Sequence, residues 1–400
     1  MSDFHQSGCI TTIHDLNTLG VDALESMIKT SGHKTALLLP ITASDMRSDS
    51  FSNIVDELSR TDYLSRVIVT LGVAPDANDY AETIQRLHPI RQRVDVVWAD
   101  SPSVLSFFDS IAEDYPAALL AGKGRSVWAA IGYILADNDI DSIVLHDCDI
   151  VTYDRMMAAR LVAPITHEES NFQFVKAYYA RTTTKMHGRV VRLLVAPLLK
   201  TISKLTHHPE LLQFLTSFRY PLAGEFGMST ELAWKLPISA NWGLEITSLS
   251  KVFQMTSSKQ VCQVDLATSY DHKHQDISSD DSSRGLNRMA ADIISATRDA
   301  LAECNIDIPS AHDLVEGFKS TALRLVDNYA IDSKLNGLNY DRASESDAVD
   351  LFANRVADTW QQTTDATQGC TSILPSWDQL ISQDSEILSR FSDIIRNEGG

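Results

Sequence analysis

The chain has 400 residues, 44% of them hydrophobic, with 34 Lys and Arg against 53 Asp and Glu and a formal charge of -19. It is long enough to bury a full-sized core, and its acidic balance argues against a general binder of nucleic acid or anionic membrane. Cys9, Cys148, Cys262, Cys304 and Cys370 are scattered without a CxxC pair. With no apolar leader and no run of about 18 apolar residues, the expectation is a cytoplasmic protein without a membrane span.

Residues 1–33 are polar and weakly periodic and read as an N-terminal extension, with a short helix from Asp22 to Lys29. Thr35 to Leu39 reads as the first buried strand, closed by Pro40. FSNIVDELSR at 51–60 has helical spacing, with Ser50 or Ser52 placed to cap it. Leu64 to Leu71 is a second strand with Gly72 at its end, Tyr80 to Leu87 a helix, and Val94 to Trp98 a third strand. Strand and helix alternating in this way describe a parallel sheet with right-handed crossovers.

Gly122-Lys123-Gly124 precedes the helical pattern of residues 126–137. A lysine there can meet a phosphate beside the free N–H groups of a helix start, or simply belong to a tight turn; the P-loop pattern is absent. The stretch DSIVLHDCDIVT at 141–152 follows. Its apolar run Ile143 to Leu145 suits a buried strand, and Asp147 and Asp149 stand two residues apart just after it. Two carboxylates at the carboxyl end of a buried strand make a hard-oxygen site for a divalent cation that holds a diphosphate. The plainer alternative is a pair of acids opening a loop.

Phe172 to Tyr179 reads as a strand, and Arg181, Lys185, His187 and Arg189 cluster after it, either as a clamp for phosphate or carboxylate or as a solvated loop. Val190 to Leu215 carries two helical runs, broken at Pro197 and near Pro209. Glu225 can face a ligand or accept hydrogen bonds at a turn. Glu245 opens an apolar helix running to about Phe253, where its charge also suits the helix dipole. Val261 to Leu266 is a further strand leading to Tyr270-Asp271-His272-Lys273-His274, a dense group of potential metal ligands. From residue 281 to 400 the patterns are helical, at about 285–304, 311–328, 346–363 and 376–396, without strand-like runs between them.

The ordered set of LLLP, GKG, the acidic triplet, K-A-x-Y, GRV with L-x-x-x-P-L-L, G-E-x-x-x-S/T, the G-x-E helix and a late histidine resembles the glucosyl-3-phosphoglycerate synthases. These are retaining glycosyltransferases related to the mannosyl-3-phosphoglycerate synthases. The resemblance implies an α/β fold of GT-A, Rossmann-like type with a mixed sheet, a glycosyltransferase domain over 34–280 and a helical C-terminal region over 281–400. It implies a nucleotide-diphosphate sugar as donor, UDP-glucose foremost, contacted by Pro40, Gly72, Lys123, Asp147, Cys148 and Asp149. Mg²⁺ or Mn²⁺ would be held by Asp149 with His272 or His274. Gly188, Arg189 and Val190 would bind the acceptor, 3-phosphoglycerate. Asp149, Lys123, Glu225 and Glu245 are the candidate catalytic groups, and a homodimer is expected.

Val191 stands where a threonine normally follows GRV, and ITASD stands where the family commonly has a form of ALNE. GDP-mannose as donor and glycerate as acceptor are the close alternatives. A nucleotidyltransferase and a non-catalytic nucleotide-sugar binder are the more distant ones.

Overall fold

Short runs rich in Val, Ile and Leu build the centre of the molecule, because a strand covered on both faces has no polar side to present. The computed structural model describes residues 6, 8–267, 270–271, 285–361 and 372–398. Its strands are β1 (Thr11–Ile13), β2 (Thr35–Thr42), β3 (Arg66–Gly72), β4 (Arg93–Trp98), β5 (Ser142–Leu145), β6 (Phe174–Tyr179), β7 (Phe226–Ser229), β8 (Ile238–Ser239), β9 (Val261–Ala267) and β10 (Ile373–Leu374). Eight of them form one sheet in the order β1-β9-β6-β7-β5-β2-β3-β4, and β8 and β10 form a separate antiparallel pair. Within the large sheet β7 runs antiparallel to β5 and β6, and the other neighbours are parallel. This is the expected mixed α/β architecture.

Alternate residues of each strand feed two apolar layers. Ala36, Leu38, Ile68 and Ile143 belong to one, and Leu37, Leu39, Val67, Val69 and Val144 to the other. Pro40 lies inside β2 rather than closing it. The carbonyl of Leu38 accepts from His146 N at 3.1 Å, so Pro40, two residues on, faces the same edge. There β5 has already ended opposite Leu38, and the N–H that proline lacks has no partner to lose.

Several local expectations need correction. The helix Asp49–Ser59 is capped by Ser48, which accepts from Phe51 N at 3.1 Å, and not by Ser50 or Ser52. The helix after GKG begins at Lys123 itself and runs to Leu135. Within the N-terminal extension, Thr11–Ile13 form a short strand not read from the sequence, which pairs with β9 at the sheet edge. The strand β7 and the helices Pro102–Ile111 and Arg155–Thr166 were not read from the sequence.

From residue 285 on, helices span Gly285–Glu303, Ala311–Leu335, Arg342–Gln361, Trp377–Gln383 and Ile387–Glu398, with the two-residue β10 among them. They share one apolar layer with the sheet. Trp377 stacks on Trp128 at 4.2 Å between ring centroids. Trp128 Nε1 donates to the Pro375 carbonyl at 2.7 Å, and Trp377 Nε1 to the Trp128 carbonyl at 3.1 Å. Gly132 makes this seating possible, since a Cβ there would lie 2.0 Å from the Trp377 ring.

Candidate active site

The carboxyl ends of β2, β3 and β5 open into a cavity of about 1230 Å³. Pro40, Gly72, Lys123, Asp147, Cys148, Asp149, Gly188, Arg189, Val190 and Glu245 all line it. Residues widely separated in the chain are thus gathered where open α/β sheets bind ligands. Glu225 is not among the lining residues.

The start of the helix Lys123–Leu135 is pressed against the segment Ser239–Ala240. A Cβ on Gly122 would stand 2.5 Å from the Ala240 carbonyl oxygen, and one on Gly124 would stand 1.8 Å from that of Ser239. The two glycines therefore serve close packing, and Gly122 caps the helix without a side chain. This seats the Lys123 ammonium 2.6 Å from Asp147 Oδ1 and 3.5 Å from Glu245 Oε1. Burial opposes its charge, but the two carboxylates outweigh that cost and hold its pKa above the usual lysine range.

Asp147 is confined from the other side. Gly224 lies so close that an added Cβ would be 2.1 Å from Asp147 Oδ2. Cys148 is buried, and burial followed by the charges of Asp147 and Asp149 pushes its thiol pKa well up. His146 is fully buried, neither ring nitrogen has a hydrogen-bond partner among the described residues, and burial lowers its pKa to about 4.

Glu225 is fully buried behind the acidic pair. Tyr270 donates its hydroxyl to Oε1 at 2.6 Å and Tyr179 to Oε2 at 2.8 Å, with the two rings stacked at 3.7 Å. Burial, then the charge of Asp147, raises the Glu225 pKa. This carboxylate pins the chain at Tyr270. The next residue donates from Asp271 N to Thr152 Oγ1 at 3.2 Å and accepts at its carbonyl from Val151 N at 2.8 Å. The chain is therefore tied beside the acidic triplet at the last residue before His272. His272 and His274 themselves lie outside the described residues.

Asp147 and Asp149 offer the hard oxygens that Mg²⁺ or Mn²⁺ prefers. Among the described residues no group of three His, Cys, Asp or Glu is gathered to hold a metal.

Another part of the cavity lining mixes cations with Asp341 and Glu345. The cations are Arg181, Lys185, Arg189 and Arg288. Arg181 Nη1 donates to the Tyr220 hydroxyl at 3.0 Å. Gly188 has φ +72°, a left-handed conformation that favours glycine, and a Cβ there would also crowd the Tyr220 hydroxyl at 3.2 Å.

Two features escaped the sequence reading. Val73 lines the cavity with φ 52°, a strained conformation for a β-branched residue directly after Gly72. Lys176 of β6 is fully buried, donates to the Ala223 carbonyl at 2.6 Å and lies over the Phe226 ring at 5.0 Å. A lone lysine within the apolar run FVKAYY was the available signal.

No protein-family model matches the chain. The chain is 36% identical over 358 residues to the glucosyl-3-phosphoglycerate synthase of Persephonella marina, covering 88% of each chain. To that of Methanococcoides burtonii it is 35% identical, covering 88% of this chain and 87% of the relative. A crystal structure of the Mycobacterium tuberculosis glucosyl-3-phosphoglycerate synthase with Mn²⁺, UDP-glucose and phosphoglyceric acid aligns at TM-score 0.53 and 22% identity, covering 74% of this chain and 88% of that one. The mannosyl-3-phosphoglycerate synthase of Rubrobacter xylanophilus aligns at TM-score 0.55 and 22% identity, covering 74% and 82%. These two structures bear on the fold alone; the sequence relationship, carried over nearly the whole length of two curated relatives, places the chain in the glucosyl-3-phosphoglycerate synthase family of glycosyltransferases.

Proposed function

We propose that the enzyme transfers glucose from a nucleotide-diphosphate glucose, UDP-glucose foremost, to 3-phosphoglycerate with retention of anomeric configuration. One observation carries the reading: a single cavity is lined both by the acidic pair Asp147 and Asp149 beside Lys123 and by the cations Arg181, Lys185 and Arg189. The first set suits a metal-bound diphosphate, and the second suits an acceptor that bears a carboxylate and a phosphate. The M. tuberculosis enzyme was crystallised with Mn²⁺ or Mg²⁺ together with UDP or UDP-glucose, and with phosphoglyceric acid.

Asp149, with Asp147 beside it and His272 or His274 from further along, would hold the cation, which when bound neutralises charge on the departing diphosphate. Lys123 keeps its proton next to that charge and adds to its stabilisation. Glu245 stands where it can orient a hydroxyl of sugar or acceptor, while its contact with Lys123 fixes the ammonium. Glu225, sealed behind the wall, acts through Tyr270 on the backbone that leads to the histidines. Arg189, with Gly188 and Val190, receives the acceptor anion.

The test is a screen of UDP-glucose, GDP-glucose and GDP-mannose against 3-phosphoglycerate and glycerate, with and without Mg²⁺ or Mn²⁺, reading the released nucleotide. Metal-dependent release of UDP from UDP-glucose with 3-phosphoglycerate is expected. Preference for GDP-mannose would overturn the donor assignment, and release of pyrophosphate would overturn the reaction class.

A further inference from the structure

Arg189 does not stand alone in the cavity wall. Its Nε donates to Glu345 Oε1 at 2.6 Å and its Nη2 to Ser344 Oγ at 3.0 Å. The other carboxylate oxygen, Glu345 Oε2, accepts from Arg192 Nη1 at 2.8 Å. Arg192 is itself tied to the loop that carries Arg189, since its Nε donates to the His187 carbonyl at 2.8 Å. Glu345 and Ser344 lie in the helix Arg342–Gln361, more than 150 residues beyond Arg189.

The exposures decide what this carboxylate does. Its side chain is 5% exposed and that of Arg192 13%, whereas Arg189 is 36% exposed. Glu345 is therefore sunk between two guanidinium groups and uses both oxygens on them. Glu345 on Nε and Ser344 on Nη2 together occupy one edge of Arg189, and Arg189 Nη1 makes no hydrogen bond among the described residues. An arginine held along one edge in this way is aimed, with its remaining N–H groups left for a second anion, and a planar guanidinium fixed in advance loses less freedom on binding. One carboxylate between two arginines also leaves a net positive charge for that anion. A backbone contact backs the arrangement: Asn339 N donates to the Thr184 carbonyl at 2.8 Å, joining the turn before this helix to the loop Arg181–Arg189.

We infer that Glu345 is a positioning residue for acceptor binding, holding Arg189 in the orientation that receives the acidic acceptor, so that the helical C-terminal region completes the acceptor subsite. The inference rests on the acceptor role proposed for Arg189, so the experiment tests the two separately. Steady-state KM for 3-phosphoglycerate, KM for UDP-glucose and kcat are measured for the wild type, Arg189→Ala, Glu345→Gln, Glu345→Asp and the double variant Arg189→Ala/Glu345→Gln, with thermal melts for each.

Arg189→Ala is expected to raise the acceptor KM on the order of 10-fold or more, the loss of a charge-assisted contact. Failure of that arm removes the acceptor reading itself. With that arm positive, Glu345→Gln is expected to raise the acceptor KM about 10-fold with the donor KM moved less than about twofold, Glu345→Asp to recover part of the loss, and the Glu345→Gln effect to vanish in the Arg189→Ala background. An unchanged or lower acceptor KM in Glu345→Gln overturns the inference while the acceptor reading stands. An effect of equal size in the Arg189→Ala background does the same, because it would show Glu345 acting on the fold at large. The comparison is read from the double variant, so it holds even where the single variant melts at lower temperature.

Discussion

Asp147 and Asp149 sit two residues apart, yet their surroundings differ. Asp147 is held by the Lys123 ammonium and crowded by Gly224, while Asp149 lines the cavity two residues before the backbone contact to Asp271. Replacing Asp149 with alanine should lower transfer by roughly 10²–10³-fold, the scale of losing one preorganised electrostatic group, with circular dichroism unchanged. Transfer near the wild-type rate in the folded variant would remove Asp149 from the chemistry. Lys176 supports a prediction on stability. Burial, opposed by Glu245 and Glu225, lowers its pKa to about 8. Between that value and the ordinary lysine pKa of about 10.4, the unfolded chain binds a proton that the folded chain does not, so this residue makes stability rise with pH across the window. Melting temperatures should therefore rise from about pH 7 to about pH 9.5 relative to Lys176→Met; a constant difference would mean that Lys176 keeps its charge when buried. The acidic triplet stood out by charge at the end of an apolar run, Lys123 by its flanking glycines and Arg189 by the resemblance at GRV, and all of them line the cavity. The burial of Glu225 was not legible, because the tyrosines that satisfy it lie 45 and 46 residues away.

Elements were legible where a long apolar run or a strong helical period announced them, as in β2, β3 and the helices beyond residue 285. β7 is only Phe226–Ser229 with Gly227 inside it, too short to show alternation, and its antiparallel direction comes from pairing with β5 and β6. β1 is three residues long and takes its place from β9. The wide-turned segment Val190–Val195 ends just before Pro197, whose missing N–H removes the donor for an ordinary helical turn. Residues 281–400 read as a helical region, and the described helices from Gly285 on share an apolar layer with the sheet, the Trp377 ring seated on Gly132 being one close contact between them. Gly132→Ala should unseat the Trp377 ring and cost about 1–3 kcal/mol, whereas Trp377→Ala should cost about 3–5 kcal/mol, both read from urea melts. An unaltered midpoint for either would show that the Trp128 and Trp377 stack does not anchor the C-terminal helices.

At the scale of the whole molecule, the sheet supplies the floor of one cavity and the helices Gly285–Glu303 and Arg342–Gln361 contribute to its wall. No helix among the described residues is long and apolar enough to cross a membrane. The acidic balance of the chain coexists with several cations on that wall, a contrast that suits small anionic substrates better than a polyanion. The proposed chemistry joins the glucosyl group of one to the other and releases the nucleoside diphosphate, and its stereochemistry is open to direct observation. Proton NMR of a reaction containing the enzyme, UDP-α-glucose, 3-phosphoglycerate and Mg²⁺ should show a new α-anomeric signal on a phosphoglycerate conjugate, growing with UDP and lost when the metal is chelated. A β-anomeric product, or no conjugate with any of the three nucleotide sugars despite a folded protein, would contradict the account.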